Sequence, residues 1–257
     1  MAGMRLTVIG CSGSFPGADS PASGYLLEAD GFRLMLDMGN GTLGTLQRYT
    51  ELFGIDAICL SHLHADHCVD LASYAVARTY PPGGPQPRIP VYGPAGTAGR
   101  VAQILGSGHR GVDEVNARFD VHTLTPGTLE IGPLRITTGH MNHPVETFGF
   151  RVEHDGWRLA YSADTGETDA LVRLAQDVDV LLSEASFVSG ADHPPNLHLT
   201  AHQAGEHASR AGAAQLVLTH LTAYHDREQS LAEAAGSYHG RLSAASSGLV
   251  LEPGAAG

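Results

Sequence analysis

The chain has 257 residues, enough to bury a sizeable core within one α/β domain. Its 27 acidic residues outnumber 15 basic ones for a net charge of −12, and every basic residue is arginine. That balance provides no basic stripe of the kind that supplies most of the affinity for long nucleic acids, so a small anionic partner is expected and a long nucleic acid is not.

Residues 4–37 read as a strand, a glycine-rich loop and a hairpin. The first strand, Arg5-Leu6-Thr7-Val8-Ile9, begins without a basic, apolar and cleavable leader, and no run is long and apolar enough to span a bilayer. A cytoplasmic protein with no membrane partner is expected. The loop Gly10-Cys11-Ser12-Gly13-Ser14-Phe15-Pro16-Gly17 follows, with small residues that let backbone N–H groups approach an anion or simply make a turn. Asp19 to Tyr25 then reads as a pocket wall, and residues 42–53 as a helix presenting Leu43, Leu46 and Phe53 to a core.

The apolar run Ile55 to Leu60 reads as a buried strand and leads into Ser61-His62-Leu63-His64-Ala65-Asp66-His67. His62 and His64 should lie on the loop beyond the strand's C-terminal end, where open α/β layers place ligands, and Asp66 and His67 on the first turn of a helix. That helix should end at Tyr80-Pro81-Pro82-Gly83-Gly84-Pro85, which cannot continue it. Farther on, Thr147–Glu153 and Trp157–Tyr161 read as a hairpin turning at His154-Asp155-Gly156. A helix from His202 to Ala211, a strand over 215–219 and a helix near 227–239 complete a second half similar to the first. With no linker, repeat or low-complexity segment, residues 1–257 are expected to form one domain of two sheets between outer helices, with a frayed tail over 254–257.

Four metal-binding side chains within six residues are hard to explain as packing. Imidazole suits zinc, and an added carboxylate suits a second, harder coordination sphere, so two adjacent divalent metals are expected. Zinc is the first choice, with Mn, Fe or Co open to the same His and Asp donors. A dinuclear site needs about seven protein donors. Three more candidates each close an apolar strand: His143 after Leu134, Asp164 after Arg158 and His220 after Gln215. His140 rivals His143, but Pro144 forces an extended exit that favours His143. Cys68 adjoins the motif and reads as a small buried residue, since its neighbours already supply donors. With Cys11 and Cys59 it makes no paired framework and fits a reducing compartment.

These residues resemble the metallo-β-lactamase fold, a four-layer αββα sandwich, over nearly the whole chain. The resemblance implies that His62, His64 and His143 bind one metal, that Asp66, His67 and His220 bind the other, and that Asp164 bridges them. The segment Leu181 to Phe187, followed by Leu197 to Ala201, looks like the paired Glu and His motifs of the tRNase Z branch, with departures at Ser183, Ser186 and Leu199. By that likeness His198 is a general acid oriented by Glu184, and Asp66 is catalytic as well as a ligand. The alternative is that His198 only caps the following helix.

The tRNase Z enzymes commonly insert a tRNA-clamping arm between the residues corresponding to His143 and Asp164, whereas here only Pro144 to Ala163 intervene. The loop Gly10 to Ser14, Asp19 to Tyr25, and His143-Pro144-Val145-Glu146-Thr147-Phe148-Gly149 look instead like bacterial cyclic-nucleotide phosphodiesterases of that branch. This implies hydrolysis of 3′,5′-cyclic AMP to the 5′-monophosphate by a hydroxide bridging the metals, with His198 protonating the 3′ oxygen. Alternatives are a tRNase Z-like ribonuclease acting on short RNA, a lactone or thioester hydrolase, and a non-catalytic metal-stabilised scaffold or nucleotide sensor. A true β-lactamase would commonly carry Cys in place of Asp164 and be exported. Related enzymes pair as homodimers, which is the expectation here. Candidates for base recognition are Phe15, Tyr25, Tyr74 and His225.

Overall fold

In a computed structural model, residues 3–106 and 111–253 are described. The expected frayed tail over 254–257 lies outside them. The first half runs through β1 (Arg5–Gly10), β2 (Gly24–Ala29), β3 (Phe32–Leu36), α1 (Thr42–Leu46), β4 (Ala57–Cys59), α2 (Ala65–Thr79), β5 (Ile89–Gly93), α3 (Thr97–Leu105), α4 (Gly111–Asn116) and β6 (Phe119–Thr123). The second runs through β7 (Gly127–Ile131), β8 (Leu134–His140), β9 (Phe148–His154), β10 (Trp157–Tyr161), α5 (Asp169–Leu174), β11 (Val180–Glu184), α6 (Ala201–Ala211), β12 (Gln215–Thr219), α7 (Arg227–Ala235), β13 (Arg241–Ala244) and β14 (Val250–Leu251).

Two seven-stranded mixed sheets result, ordered β14-β1-β2-β3-β4-β5-β6 and β13-β12-β11-β10-β9-β8-β7. Each half opens with antiparallel strands and continues with parallel ones, through β3 to β6 and β10 to β13. β14 then crosses back to pair with β1, so the end of the chain closes the first sheet. The strands are apolar on both faces, as parallel layers covered by helices require. Tyr25, Leu27, Leu34, Leu36, Leu159, Tyr161 and Leu182 point into the core between the sheets. The alternate residues Leu26, Met35 and Ile58 pack outward with residues of α2 and α3, while Ala160, Leu181 and Leu216 pack with residues of α5 and α6. This is the expected αββα sandwich, and no helix among the described residues is long and apolar enough to cross a membrane.

Several expected boundaries move. The helix over 42–53 stops at Leu46, because Arg48 and Tyr49 bond three residues back and tighten the chain into turns; Leu46 is buried, and Leu43 and Phe53 are half-buried against the same core. β8 ends at His140, and Met141 N–H bonds to Thr147 O, so His143 sits on a loop rather than at a strand end. Asp164 likewise lies beyond the last residue of β10, Tyr161. Tyr25 and Tyr74 are fully buried, Tyr25 between the sheets and Tyr74 on the inner face of α2, so neither can touch a base.

Candidate metal centre

The parallel strands β3, β4, β10, β11 and β12 all point their C-terminal ends at one edge of the sandwich, where Asp37, His62, His64, Asp164, Glu184 and His220 follow or end them. The chain turns sharply there. Asp37, Ala163 and His220 adopt left-handed backbone conformations with φ of 58°, 52° and 54°. Such conformations cost roughly 1–2 kcal/mol per residue for a side chain with a Cβ, strain of the kind that clusters where side chains must be aimed. His64 is the N-cap of α2, with φ −68° and ψ 151°, which sets Asp66 and His67 on its first turn as expected.

The seven candidate donors converge as two facing sets. In the first, His62 Nε2 lies 3.1 Å and His143 Nε2 3.2 Å from His64 Nδ1. Two donors on a tetrahedral zinc at about 2.0 Å would lie about 3.3 Å apart, so this is the edge length of a coordination sphere. The outer nitrogens are already committed. His143 Nδ1–H donates to Leu197 O at 2.9 Å. His62 Nδ1 lies 3.1 Å from Ser61 Oγ, whose proton goes to Asp37 Oδ2 at 2.8 Å. Both Nε2 atoms therefore turn lone pairs inward, which one proton on His64 cannot satisfy together.

In the second set, His220 Nε2 lies 3.1 Å from Asp66 Oδ2, 3.2 Å from His67 Nε2 and 3.5 Å from Asp164 Oδ1. Asp164 faces both sets, with Oδ1 3.2 Å from His67 Nε2 and Oδ2 3.7 Å from His62 Nε2. Its Oδ1 is buried without a hydrogen-bond partner. An orphaned carboxylate oxygen among inward lone pairs fits a site that divalent cations complete. His140, the rival of His143, is an exposed residue whose ring packs on Phe148, and it takes no part.

The electrostatics agree. Burial pushes His62, His64 and His143 below the usual imidazole range, into the neutral form that ligates metal. At Asp164 and Asp66 burial alone would raise the pKa, but the neighbouring histidines outweigh it and keep both ionised. Burial disfavours a charge on His67 too, yet Asp164 and Asp37 draw it well above the usual range, so this corner calls for positive charge.

The expected acid pair also assembles. His198 Nδ1 donates to Glu184 Oε1 at 2.8 Å, and the fully buried carboxylate also accepts from the Thr165 and Ser186 N–H groups. The His198 ring stands 5.6 Å from His143 and 5.4 Å from His220, one member of each donor set. It does not cap the following helix. Thr200 does that in a capping box with Gln203. Cys68 is buried and, like Cys11 and Cys59, free.

Two supporting residues escape the sequence reading. Asp37, fully buried, accepts from Ser61 N–H at 2.7 Å, Tyr161 Oη–H at 2.8 Å and His67 Nδ1–H at 2.8 Å, besides the Ser61 hydroxyl. It closes β3 as a carboxylate after an apolar strand, the same signal that marks Asp164. Ser186 Oγ lies 2.6 Å from His220 Nδ1 and donates to His220 O at 2.9 Å, so it accepts the Nδ1 proton and leaves Nε2 facing inward. The glycine-rich loop edges this side. Ser14 N–H approaches His220 Nε2 at 3.3 Å, and a Cβ on Gly13 would fall 2.3 Å from His220 O.

Residues 33–221 match the domain family described as the β-lactamase superfamily domain. The Mycobacterium tuberculosis protein Rv1339 is 43% identical over 244 residues, 94% of this chain and 89% of its own. The probable metallo-hydrolase YhfI of Bacillus subtilis is 31% identical over 258 residues, covering 97% of this chain and all of its own. The crystal structure of that metallo-β-lactamase fold protein superposes with a TM-score of 0.86 at 29% identity, over 98% of this chain and 100% of its own. The short form of human tRNase Z shares the fold, with a TM-score of 0.76 at 21% identity over 96% of this chain and 98% of its own. Sequence and fold agree, and the chain belongs to the metallo-β-lactamase superfamily, as a metallo-hydrolase.

Proposed function

We infer that the protein is a dinuclear-metal phosphodiesterase acting on a small phosphodiester, with 3′,5′-cyclic AMP as the substrate to test first. His62, His64 and His143 would hold one divalent ion, Asp66, His67 and His220 the other, and Asp164 both. Zinc suits the imidazole-rich donors best, with Mn, Fe or Co compatible. Bound there, the ions would supply an acidified water and positive charge for the phosphoryl oxygens.

The observation that carries the reading is the His198–Glu184 pair. Burial opposes a charge on His198, but Glu184 outweighs it and raises the imidazole pKa to about 9, so the ring is protonated at neutral pH. With Nδ1 held by Glu184, Nε2–H is the end free to protonate a leaving alkoxide such as the 3′ oxygen of a cyclic nucleotide. A lactone or thioester hydrolase could work without that acid. The Ser14 N–H, beside His220, adds a backbone donor for a substrate oxygen.

The chain between His143 and Asp164 supports a small substrate. It is a short loop and the β9–β10 hairpin, paired from Phe150 with Tyr161 to His154 with Trp157, with no room for a tRNA-clamping arm. The net charge of −12 also favours a small ligand over a long polyanion. The test is turnover by metal-loaded protein of 3′,5′-cyclic AMP beside 2′,3′-cyclic AMP, bis(p-nitrophenyl) phosphate and a pre-tRNA, repeated for Asp164→Ala. Conversion of 3′,5′-cyclic AMP to AMP that disappears with Asp164 supports the reading. Cleavage of the nitrophenyl ester alone would redirect the search to lactones and thioesters.

A further inference from the structure

Large apolar side chains left in solvent next to a polar site call for an occupant. Phe15 is 41% exposed and Tyr224 72% exposed, and their rings touch at a centroid distance of 5.8 Å with an interplanar angle of 33°. They come from segments far apart in sequence that run side by side outward from His220. Gly13 N–H bonds to Leu221 O at 3.1 Å, Ser12 bridges Leu221, and a Cβ on Gly17 would lie 3.2 Å from the Ala223 Cβ. The inner end of the pair of segments is therefore the Ser14 N–H against His220 Nε2, and the outer end is the pair of rings. His225 braces the platform edge-on to Tyr224, with centroids 4.7 Å apart.

We propose that Phe15 and Tyr224 form a stacking platform for the nucleobase of the substrate, setting its specificity while the donor cluster holds the phosphate. This rests on the phosphodiesterase reading above for the identity of the substrate. At 5.8 Å the rings are too close for a base to enter between them, since a sandwiched ring needs about twice the ordinary 3.5 Å gap. The base instead lies on the face they share. Arg227, the nearest guanidinium in sequence, is tied to Ala245 O and does not reach out as a hydrogen-bonding reader. Recognition by stacking alone favours the larger purines over pyrimidines and separates adenine from guanine weakly, because every base has a π-face.

The experiment is calorimetric binding of 5′-AMP and of ribose 5-phosphate to metal-loaded protein, for the wild type, Phe15→Ala, Tyr224→Ala and Tyr224→Trp, with cyclic AMP turnover measured alongside. The wild type is expected to prefer AMP by at least about tenfold, each alanine variant to lose roughly tenfold or more of that preference, and Tyr224→Trp to keep it. Loss confined to AMP marks a base contact, because a distorted site would weaken ribose 5-phosphate equally. A wild type without the preference, or alanine variants that retain it, overturns the platform even where cyclic AMP is hydrolysed. A platform-dependent preference without turnover of cyclic AMP overturns the cyclic AMP assignment and leaves the platform standing.

Discussion

His198 and Glu184, fourteen residues apart in sequence, meet at 2.8 Å between Nδ1 and Oε1, with the carboxylate buried completely and the ring centroid 5.6 Å from His143 and 5.4 Å from His220. In the proposed reaction the pair would serve as an acid with its counter-ion built in. His198→Ala should keep its metal content and lose kcat by roughly two to four orders of magnitude. Glu184→Gln should lose less and change the pH profile. Burial lowers and Glu184 more than restores the His198 pKa, to about 9, so the acid form is present below that value and activity falls as pH rises through it. Removing the carboxylate charge moves this alkaline limb to lower pH. An unchanged profile in Glu184→Gln, or full kcat in His198→Ala, would remove the pair from the mechanism.

Asp37 organises the centre from beneath. Its carboxylate receives the Ser61 N–H, the Ser61 hydroxyl, the Tyr161 hydroxyl and His67 Nδ1–H, and through Ser61 it also fixes His62. Asp37→Ala strands several buried donors at once, which should destabilise the metal-free protein by about 2–4 kcal/mol in urea titration. The tyrosine offers a control. Tyr161→Phe removes one donor and leaves three, and should cost about 1 kcal/mol. Equal effects of the two substitutions would deny Asp37 its role as the common acceptor.

The reach of the sequence at this site follows from chemistry. His62, His64, Asp66 and His67 sit on one strand-loop-helix unit, so their spacing alone predicts that they share a site. His143 and Asp164 stand out in the sequence by donor type, but the loops that carry them run three residues past β8 and β10, because the turn closed by Met141 and Thr147 and the left-handed Ala163 are tertiary choices. Asp37 carries the same strand-then-carboxylate signal as Asp164 and differs only in facing Ser61, Tyr161 and His67 Nδ1 rather than the inward donor atoms, which a sequence cannot separate. The base-recognition candidates divide by burial. Tyr25 and Tyr74 are fully buried, whereas Phe15 is exposed beside Tyr224, a contact between residues 15 and 224 that no local pattern encodes.

Ser186 is a departure from the tRNase Z-like motif, and its hydroxyl is what the site uses. It accepts the Nδ1 proton of His220 and donates to the His220 carbonyl, so one side chain fixes both the tautomer and the left-handed turn. If His220 ligates as proposed, Ser186→Ala should weaken metal binding by roughly tenfold to a hundredfold, read by competition with a chelator. Ser186→Thr restores the hydroxyl and should recover most of the affinity. Equal metal retention in the alanine and threonine variants would show that the hydroxyl is dispensable.

Protonation should also act on the fold itself before metal is bound. His62 is fully buried, and burial holds its pKa well below the usual value, so the folded protein keeps it neutral while the unfolded chain takes up a proton below about pH 6.5. The unfolded state then binds more protons, and folding loses about 1.4 kcal/mol per pH unit as pH falls below that value, until the folded pKa is reached. His67 works in the opposite sense, because Asp164 and Asp37 outweigh its burial and raise its pKa. The informative quantity is therefore a difference between proteins. In urea titrations of metal-free protein, the stability of the wild type relative to His62→Gln should fall by about 1 kcal/mol between pH 7.5 and 5.5. A difference that stays constant over that range would mean that His62 takes up its proton at the same pH folded and unfolded, so that burial does not hold its inward lone pair.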